Sequence, residues 1–516
     1  MDVFMDSRSA IGRRDFVAVV PSRLRARRVQ RRRPAHIMIE DFSNIVLDVY
    51  GSSSSRCHLR LLRFIADSLQ WNPALSYRER RTRMTDFDVI VIGGGFAGVT
   101  AAREAGRAGL RCLLLEGRDR LGGRTWYTEM HGHHVELGGT WIHWTQPHIW
   151  AEVTRYGLEV IEHPGLAAPG HAAWIAGGRR RTGGAEELAT LLEKCMTRFC
   201  HDAAEVWPRP WEPLFAARMA EVDRLSVQDR IDTLDLSDDE REILEGMWAS
   251  ACLSPCEESA LTSMLWWWAL GQRSFPGLMD AIARFTIRGG TKSLIDAIVA
   301  EGAPEVRLST PVRQVKQDAQ QVAVTTGSGE TITARAAVIA VPVNALENIT
   351  FSPALSPGKQ AVAHERKTAR GLKVMALVRN VPDDFLGVAP KSHAITFLSS
   401  EYATPEGEVM MVGFGPDATR LALNDRAAVQ DAIREYLPAA EVVAARGHDW
   451  TADPMSQGVH AIFRPGQLSR YFHELQQPEG RLVFAGADIA NLWNTFMDGA
   501  IESGLRAGQA VARMLG

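Results

Sequence analysis

The stretch from Asp88 to Gly98, Asp-Val-Ile-Val-Ile-Gly-Gly-Gly-Phe-Ala-Gly, constrains this chain more than any other. An apolar run ends in Gly93, Gly95 and Gly98, spaced G-x-G-x-x-G, and reads as a buried strand turning into a helix. Gly93 permits the tight turn, Gly95 lets backbone approach a pyrophosphate, and Gly98 lets helix and strand pack closely. A helix is expected over Val99 to Leu110, and a second strand over Arg111 to Leu115 that ends in Glu116. The helix start then offers free N–H groups and a positive dipole end to phosphate. Glu116 falls 18 residues after Gly98, where an acid accepts hydrogen bonds from an adenosine ribose. The pattern predicts an α/β, Rossmann-type dinucleotide domain.

At 516 residues the chain is too long for one core. No apolar run approaches a membrane span of about 18 residues. Six cysteines in such a length form no disulfide framework, and neither Cys195/Cys200 nor Cys252/Cys256 has C-x-x-C spacing. No metal site is expected. Reduced, buried thiols are the default, in keeping with a cytoplasmic setting.

The net charge of −3 conceals an asymmetry. Residues 1–83 carry 17 arginines, no lysine and 8 acids, so the remainder is acidic. An acidic body argues against nucleic acid as a partner. The basic segment is open to several readings. Arg23 to Arg33 suits a nucleic-acid arm, and Arg13-Arg14 resembles a twin-arginine export start. A transit peptide is the third, weakened by Asp2, Asp6 and Asp15. A blander account is translated upstream sequence, with the folded body beginning near Met84. Residues 1–84 are accordingly expected to form a disordered extension.

Further blocks follow in the body. Leu121-Gly-Gly-Arg-Thr125 supplies Arg124 beside a glycine pair, and Arg118 precedes it. Gly138-Gly139 again suits backbone packed on a flat ligand. Helical pattern dominates from about 185 to 285 and includes Trp266, Trp267 and Trp268, most of them expected in the core. Glu330 to Ala334 reads as half of a hairpin, and Ala336 to Val341 as a separate buried strand.

Together these blocks, with Phe484 to Asp488 and Met497 to Gly504, resemble the flavin-dependent amine oxidase family. The likeness covers Asp86 to Gly516. Within that family the chain is similar to bacterial nicotine oxidoreductases and pseudooxynicotine amine oxidases, through His143 to Trp150, Cys200 to Pro210 and Asp449 to Pro454. The resemblance implies two domains: an FAD-binding one over 85–170, 283–345 and 470–516, and a mixed α+β substrate domain over 171–282 and 346–469. It implies that Gly93, Gly95, Phe96, Ala97, Gly98 and Glu116 hold the adenosine side of FAD. Arg118, Gly123 and Arg124 fall near the pyrophosphate, and Gly139 and Thr140 beside them. Val312 meets adenine through its backbone, Asp488 stands where the family has Glu near the ribitol, and Met497 lies near the pyrimidine ring. Val459 replaces the cysteine that attaches flavin in some relatives, so FAD is expected to be non-covalent.

The amine is framed in the family by two aromatic residues, here His460 and Phe496. His460 is open to three roles: a flat wall, a hydrogen-bond partner, or a proton acceptor titrating near neutrality. Lys373 matches the lysine that holds a water near the flavin. Trp141, Trp144 and Trp493 are candidate pocket walls, with Trp493 also counted beside the cofactor. The implied reaction is oxidation of an amine to an imine, with nicotine-like alkaloid amines favoured. Polyamine or monoamine oxidation is one alternative, and a flavin-binding module without turnover is another. Oxygen or a redox protein takes the electrons, and a homodimer is among the states the likeness admits.

Overall fold

The structure, a computed structural model, describes residues 85–162 and 170–516. The Arg13-Arg14 and Arg23 to Arg33 readings, and the extension over residues 1–84, lie outside the described residues.

The strand Phe87–Ile92, the helix Phe96–Arg107 and the strand Cys112–Leu115 form the expected strand–helix–strand unit, with the helix starting one turn earlier than its apolar pattern implied. Alternation sorts the first strand's side chains. Val89 and Val91 enter one core with the helix, while Ile90 and Ile92 enter another on the opposite face. A strand buried on both faces is what a parallel sheet between helix layers requires. The strand pairs in parallel with Cys112–Leu115 on one side and with Thr331–Ile339 on the other.

The remaining strands of this eight-stranded sheet are Glu305–Arg307, Val312–Gln317, Val322–Thr326, Thr350–Ser352 and Leu482–Phe484. Thr331–Ile339 corrects the expectation of two separate strands. Its first half pairs antiparallel with Val322–Thr326, and its second half runs parallel to Phe87–Ile92 and Leu482–Phe484. One strand changes neighbours along its length, and its polar alternation gives way to continuous burial where it enters the sheet centre.

A seven-stranded sheet runs in the order Glu441–Gly447, Leu372–Arg379, Val409–Gly415, Phe397–Ala403, Phe385–Val388, His171–Ala176 and Arg179–Gly184. Helices between residues 185 and 283 pack on one face of it through a core that includes Trp207, Trp248 and Trp266. Two of these helices start with reciprocal capping boxes, Ser226 with Asp229 and Ser237 with Glu240. The helix Arg426–Arg434 covers the other face.

The last helix, Met497–Leu515, lies against Phe96–Arg107, and Gly504 brings the two backbones close. Gly98 controls the approach of helix and glycine turn. A Cβ there would stand 1.9 Å from the Gly93 carbonyl oxygen, a rigid backbone atom. Gly98→Ala is therefore expected to force helix and strand apart and to cost about 1–3 kcal/mol. Thermal unfolding of the variant against the parent chain measures it.

Candidate active site

A cavity of about 430 Å3 lies among the described residues, a size usual for small-molecule sites. Its wall joins the glycine turn to a cluster of aromatic side chains. Of the residues marked in the sequence, Gly93, Gly95, Phe96, Ala97, Glu116, Arg118, Gly123, Arg124, Gly139, Thr140, Trp141, Val312, Lys373, His460, Asp488, Phe496 and Met497 line it. Gly98, Trp144 and Trp493 stand off the wall.

Two helix starts open on this cavity. Phe96–Arg107 and Met497–Leu515 have Gly95 and Phe496 as their N-caps, neither with a side-chain cap, and both N-cap residues line the wall. Uncapped N–H groups are the natural partners of phosphate. Glu116 is nearly fully buried and accepts hydrogen bonds from the backbone N–H of Gly94 at 2.6 Å and of Arg118 at 2.9 Å. The carboxylate thereby braces the turn while keeping lone pairs for a ligand.

The two arginines expected at the pyrophosphate both have carboxylate partners. Arg118 binds Asp453 at 2.9 Å and donates to Ser456 Oγ at 2.7 Å. Arg124 pairs with Asp488 and donates to the Val459 carbonyl at 3.1 Å. Asp488 also accepts from the Val343 N–H at 3.3 Å. Burial alone would raise its carboxyl, but Arg124 and Lys367 outweigh that and hold it below the usual carboxylate range.

Lys367 was not marked in the sequence. Its Nζ donates to the Asp488 carbonyl at 2.9 Å and lies 3.4 Å from the centroid of the Phe463 ring. Burial pushes it down to about 7, with Asp488 opposing and Arg124 reinforcing. Lys373, on the Leu372–Arg379 strand, donates to the Gly138 carbonyl at 3.0 Å and to Thr140 Oγ1 at 2.5 Å. It stands 4.7 Å from the Trp141 ring centroid. Burial lowers it to about 8, and Glu401 and Glu136 pull it back up. Glu136 is itself raised to about 7 by burial, against the Thr291 N–H that binds it at 2.6 Å.

The aromatic part of the wall differs from expectation in three residues. Trp144 is a correction. It is 46% exposed, with Arg284 at 4.9 Å from its ring, and packs against Phe285 outside the cavity. Trp493 is buried behind Phe496, edge-on at 5.1 Å, and its Nε1 donates to the Thr145 carbonyl at 2.7 Å. It supports the wall without being part of it. Trp267 takes the vacated role, 4.8 Å from Phe496 and 5.7 Å from His460 by ring centroids. Its neighbour Trp266 stacks on Trp207 in the core at 4.5 Å, as three successive positions on a helix demand. The Trp triplet was the available signal for Trp267, but it did not say which of the three faces the cavity. His460 is pushed down to about 4, first by burial and then by Arg124 and Lys373, so its ring is neutral at physiological pH. That removes the reading in which it titrates near neutrality.

Residues 96–512 match the family described as flavin containing amine oxidoreductase, and the chain belongs to it. It is 41% identical to a pseudooxynicotine dehydrogenase of a Pseudomonas species over 433 residues, 83% of this chain and 87% of that one. It is 39% identical to the nicotine dehydrogenase of Pseudomonas putida over 83% of this chain and 89% of that one. The fold is shared with cyclohexylamine oxidase from Brevibacterium oxydans, with a TM-score of 0.72 at 23% identity, covering 83% of this chain and 99% of that chain. The chain is thus a flavoenzyme that oxidises amines. The site fits a flavin: uncapped helix starts and a glycine turn for phosphates, and an apolar aromatic enclosure for a flat ring. Among the described residues no cluster of His, Cys, Asp and Glu suits a metal, and no helix is long and apolar enough to cross a membrane.

Lys367 makes a pH prediction. Its folded-state value of about 7 lies below its ordinary 10.5. The unfolded chain therefore binds more protons between those values, and stability rises with pH across that window. Lys367→Met is expected to flatten that rise, whatever it does to the overall melting temperature. Thermal melts of both proteins over a pH series check it.

Proposed function

We propose that the chain binds FAD non-covalently and oxidises nicotine-like or pseudooxynicotine-like alkaloid amines to imines, which water then hydrolyses. The observation that carries this reading is the junction, in one cavity, of the glycine turn with the wall formed by Trp267, His460 and Phe496. The two relatives named for nicotine and pseudooxynicotine support the substrate class. Val459 lines the cavity and offers no nucleophile to a flavin, which supports the non-covalent state. Acid precipitation is expected to release the yellow colour into the supernatant.

Bound flavin supplies the acceptor for a hydride from the amine α-carbon. The protein supplies the environment. An ammonium has no free lone pair, so the reactive species is the neutral amine. The apolar aromatic wall disfavours charge and so favours that species. Phe496 and Trp267 hold the amine by their faces. Lys373, anchored between Gly138 and Thr140, keeps a proton-carrying group at the cavity wall. The five described cysteines are buried and unpaired, which supports a reducing, cytoplasmic setting. The residues that line the cavity support the two-domain division already described, in which one sheet carries the cofactor and the other the substrate.

A polyamine reading needs carboxylates that meet a second ammonium. The two acids on the cavity wall, Glu116 and Asp488, already hold Gly94 with Arg118 and Arg124 respectively. This favours a monoamine carrying an apolar ring system. Oxygen or a redox protein completes the cycle.

Anaerobic mixing with a panel of amines tests the proposal. Pyridyl alkylamines are expected to bleach the flavin quickly and spermidine slowly; no bleaching by any amine would favour a non-catalytic flavin protein. Lys373→Met is expected to retain flavin yet slow reduction or reoxidation, and to lose an inflection near pH 8 in the parent's profile. Stopped-flow measurement of both half-reactions decides it.

A further inference from the structure

Asp498 is the second residue of the helix Met497–Leu515, and it is fully buried. Its side chain reaches the helix Pro147–Arg155. Oδ1 accepts hydrogen bonds from the backbone N–H groups of His148 at 2.6 Å and Ile149 at 2.9 Å. That helix has Gln146 as its N-cap, with no side-chain cap of its own. Asp498 therefore caps one helix while sitting in the first turn of another. Its second oxygen, Oδ2, stands 3.1 Å from His148 Nδ1. A carboxylate only accepts, so Nδ1 carries the hydrogen. The His148 side chain is 28% exposed, so solvent reaches a ring held against a buried carboxylate.

The helix start that carries Asp498 also faces the cavity. Phe496, Met497 and Ala500 line it, and Phe496 belongs to the aromatic enclosure through Trp267 at 4.8 Å. A charge in the first turn adds to or opposes the positive end of the helix dipole. From this arrangement we infer that Asp498 and His148 are positioning residues that set the electron affinity of the bound flavin. The carboxylate lowers that affinity, and the imidazolium restores it. Both act through the helix start, since neither side chain is on the cavity wall. The inference rests on the flavin reading of this cavity and assigns the tuning of its potential to a pair outside it.

The sign follows from charge. A flavin that takes up two electrons and one proton becomes one unit more negative. The uncapped N–H groups and the dipole's positive end favour that form. Asp498 opposes it, and protonated His148 offsets Asp498. Burial alone would lower the His148 ring, but the hydrogen bond to Asp498 outweighs it, with Glu502 and Glu152 adding to the effect, and holds it above its ordinary 6.5. Arg506 pairs with Glu502, and Arg103 with Glu152, so Asp498 is the acid left to the ring. The imidazole is therefore charged at pH 6. A single charge at a helix start changes such an equilibrium about two- to fivefold.

The test is a redox titration of the flavin-loaded protein at pH 6 against a reference dye, followed by absorbance. It compares the parent with Asp498→Asn and His148→Gln. Asparagine keeps an oxygen for the two backbone N–H groups and removes the charge. Glutamine keeps a side-chain donor and removes the cation. Asp498→Asn is expected to shift the equilibrium about two- to fivefold toward reduced flavin, which is about 10–20 mV for two electrons. His148→Gln is expected to shift it by a similar factor toward oxidised flavin. Opposite signs mark an effect of charge; a loosened helix start has no reason to produce them. Shifts of the same sign, or no shift in either variant, overturn the inference and leave amine oxidation standing. If one variant does not retain flavin, the other decides: its expected sign supports the inference, and any other result overturns it. Loss of flavin from both variants marks the pair as a structural prop and overturns it too. A parent protein that holds no flavin overturns the flavin reading, and the inference with it.

Discussion

A cluster of three ionisable groups, Asp488 and Lys367 buried and Arg124 half-buried, holds this site together. Arg124 follows the glycine turn, Asp488 precedes the last helix, and Lys367 comes from the loop leading into the second sheet. Arg124 and Lys367 meet at Asp488, one through its carboxylate and the other through its carbonyl. Breaking one member would leave a buried charge without compensation, which is far more costly than replacing the whole set with apolar groups. The arrangement therefore specifies position more than it adds stability. It fixes the strand-to-helix turn against the C-terminal wall, and it sets the potential felt by everything else in the cavity.

Burial, with that potential reinforcing it, keeps the aromatic side of the cavity neutral at His460. Burial, helped by Arg124 and Lys373, makes His460 lose its proton far below its ordinary range. Lys373 is lowered in turn by its enclosure, with Glu401 and Glu136 restraining the shift. The glycine part of the cavity offers backbone N–H groups, and the aromatic part offers neutral surfaces. A dianionic diphosphate and a neutral amine are what such a division of labour suits.

Much of this was legible in the sequence. The glycine spacing, the apolar run before it and the acid after it depend on contacts within some thirty residues, and the first strand–helix–strand unit followed them closely. Arg335 interrupts the apolar run of Thr331–Ile339 and suggests two strands; the strand continues because the register carries that side chain to the surface, where it donates to the Leu515 carbonyl. Trp144 and Trp267 exchanged roles for a similar reason. Both are tryptophans, and the phase of the Leu261–Leu270 helix, which composition does not reveal, brings Trp267 to the cavity. Lys367 had no local signature at all. Its burial is imposed by Phe463 and Asp488, roughly a hundred residues downstream.

The change of partners along Thr331–Ile339 reaches into the making of the protein. Its first half closes a hairpin with the segment just before it, while its second half must find Phe87–Ile92, as in the pairing of Val91 with Val338, and Leu482–Phe484. A ribosome has therefore long released the glycine turn before it extrudes the residues that face it, from Gly486 to Met497. For most of translation the glycine turn exists without its opposite wall. The chamber closes only when the segment from Gly486 to Met497 has joined it.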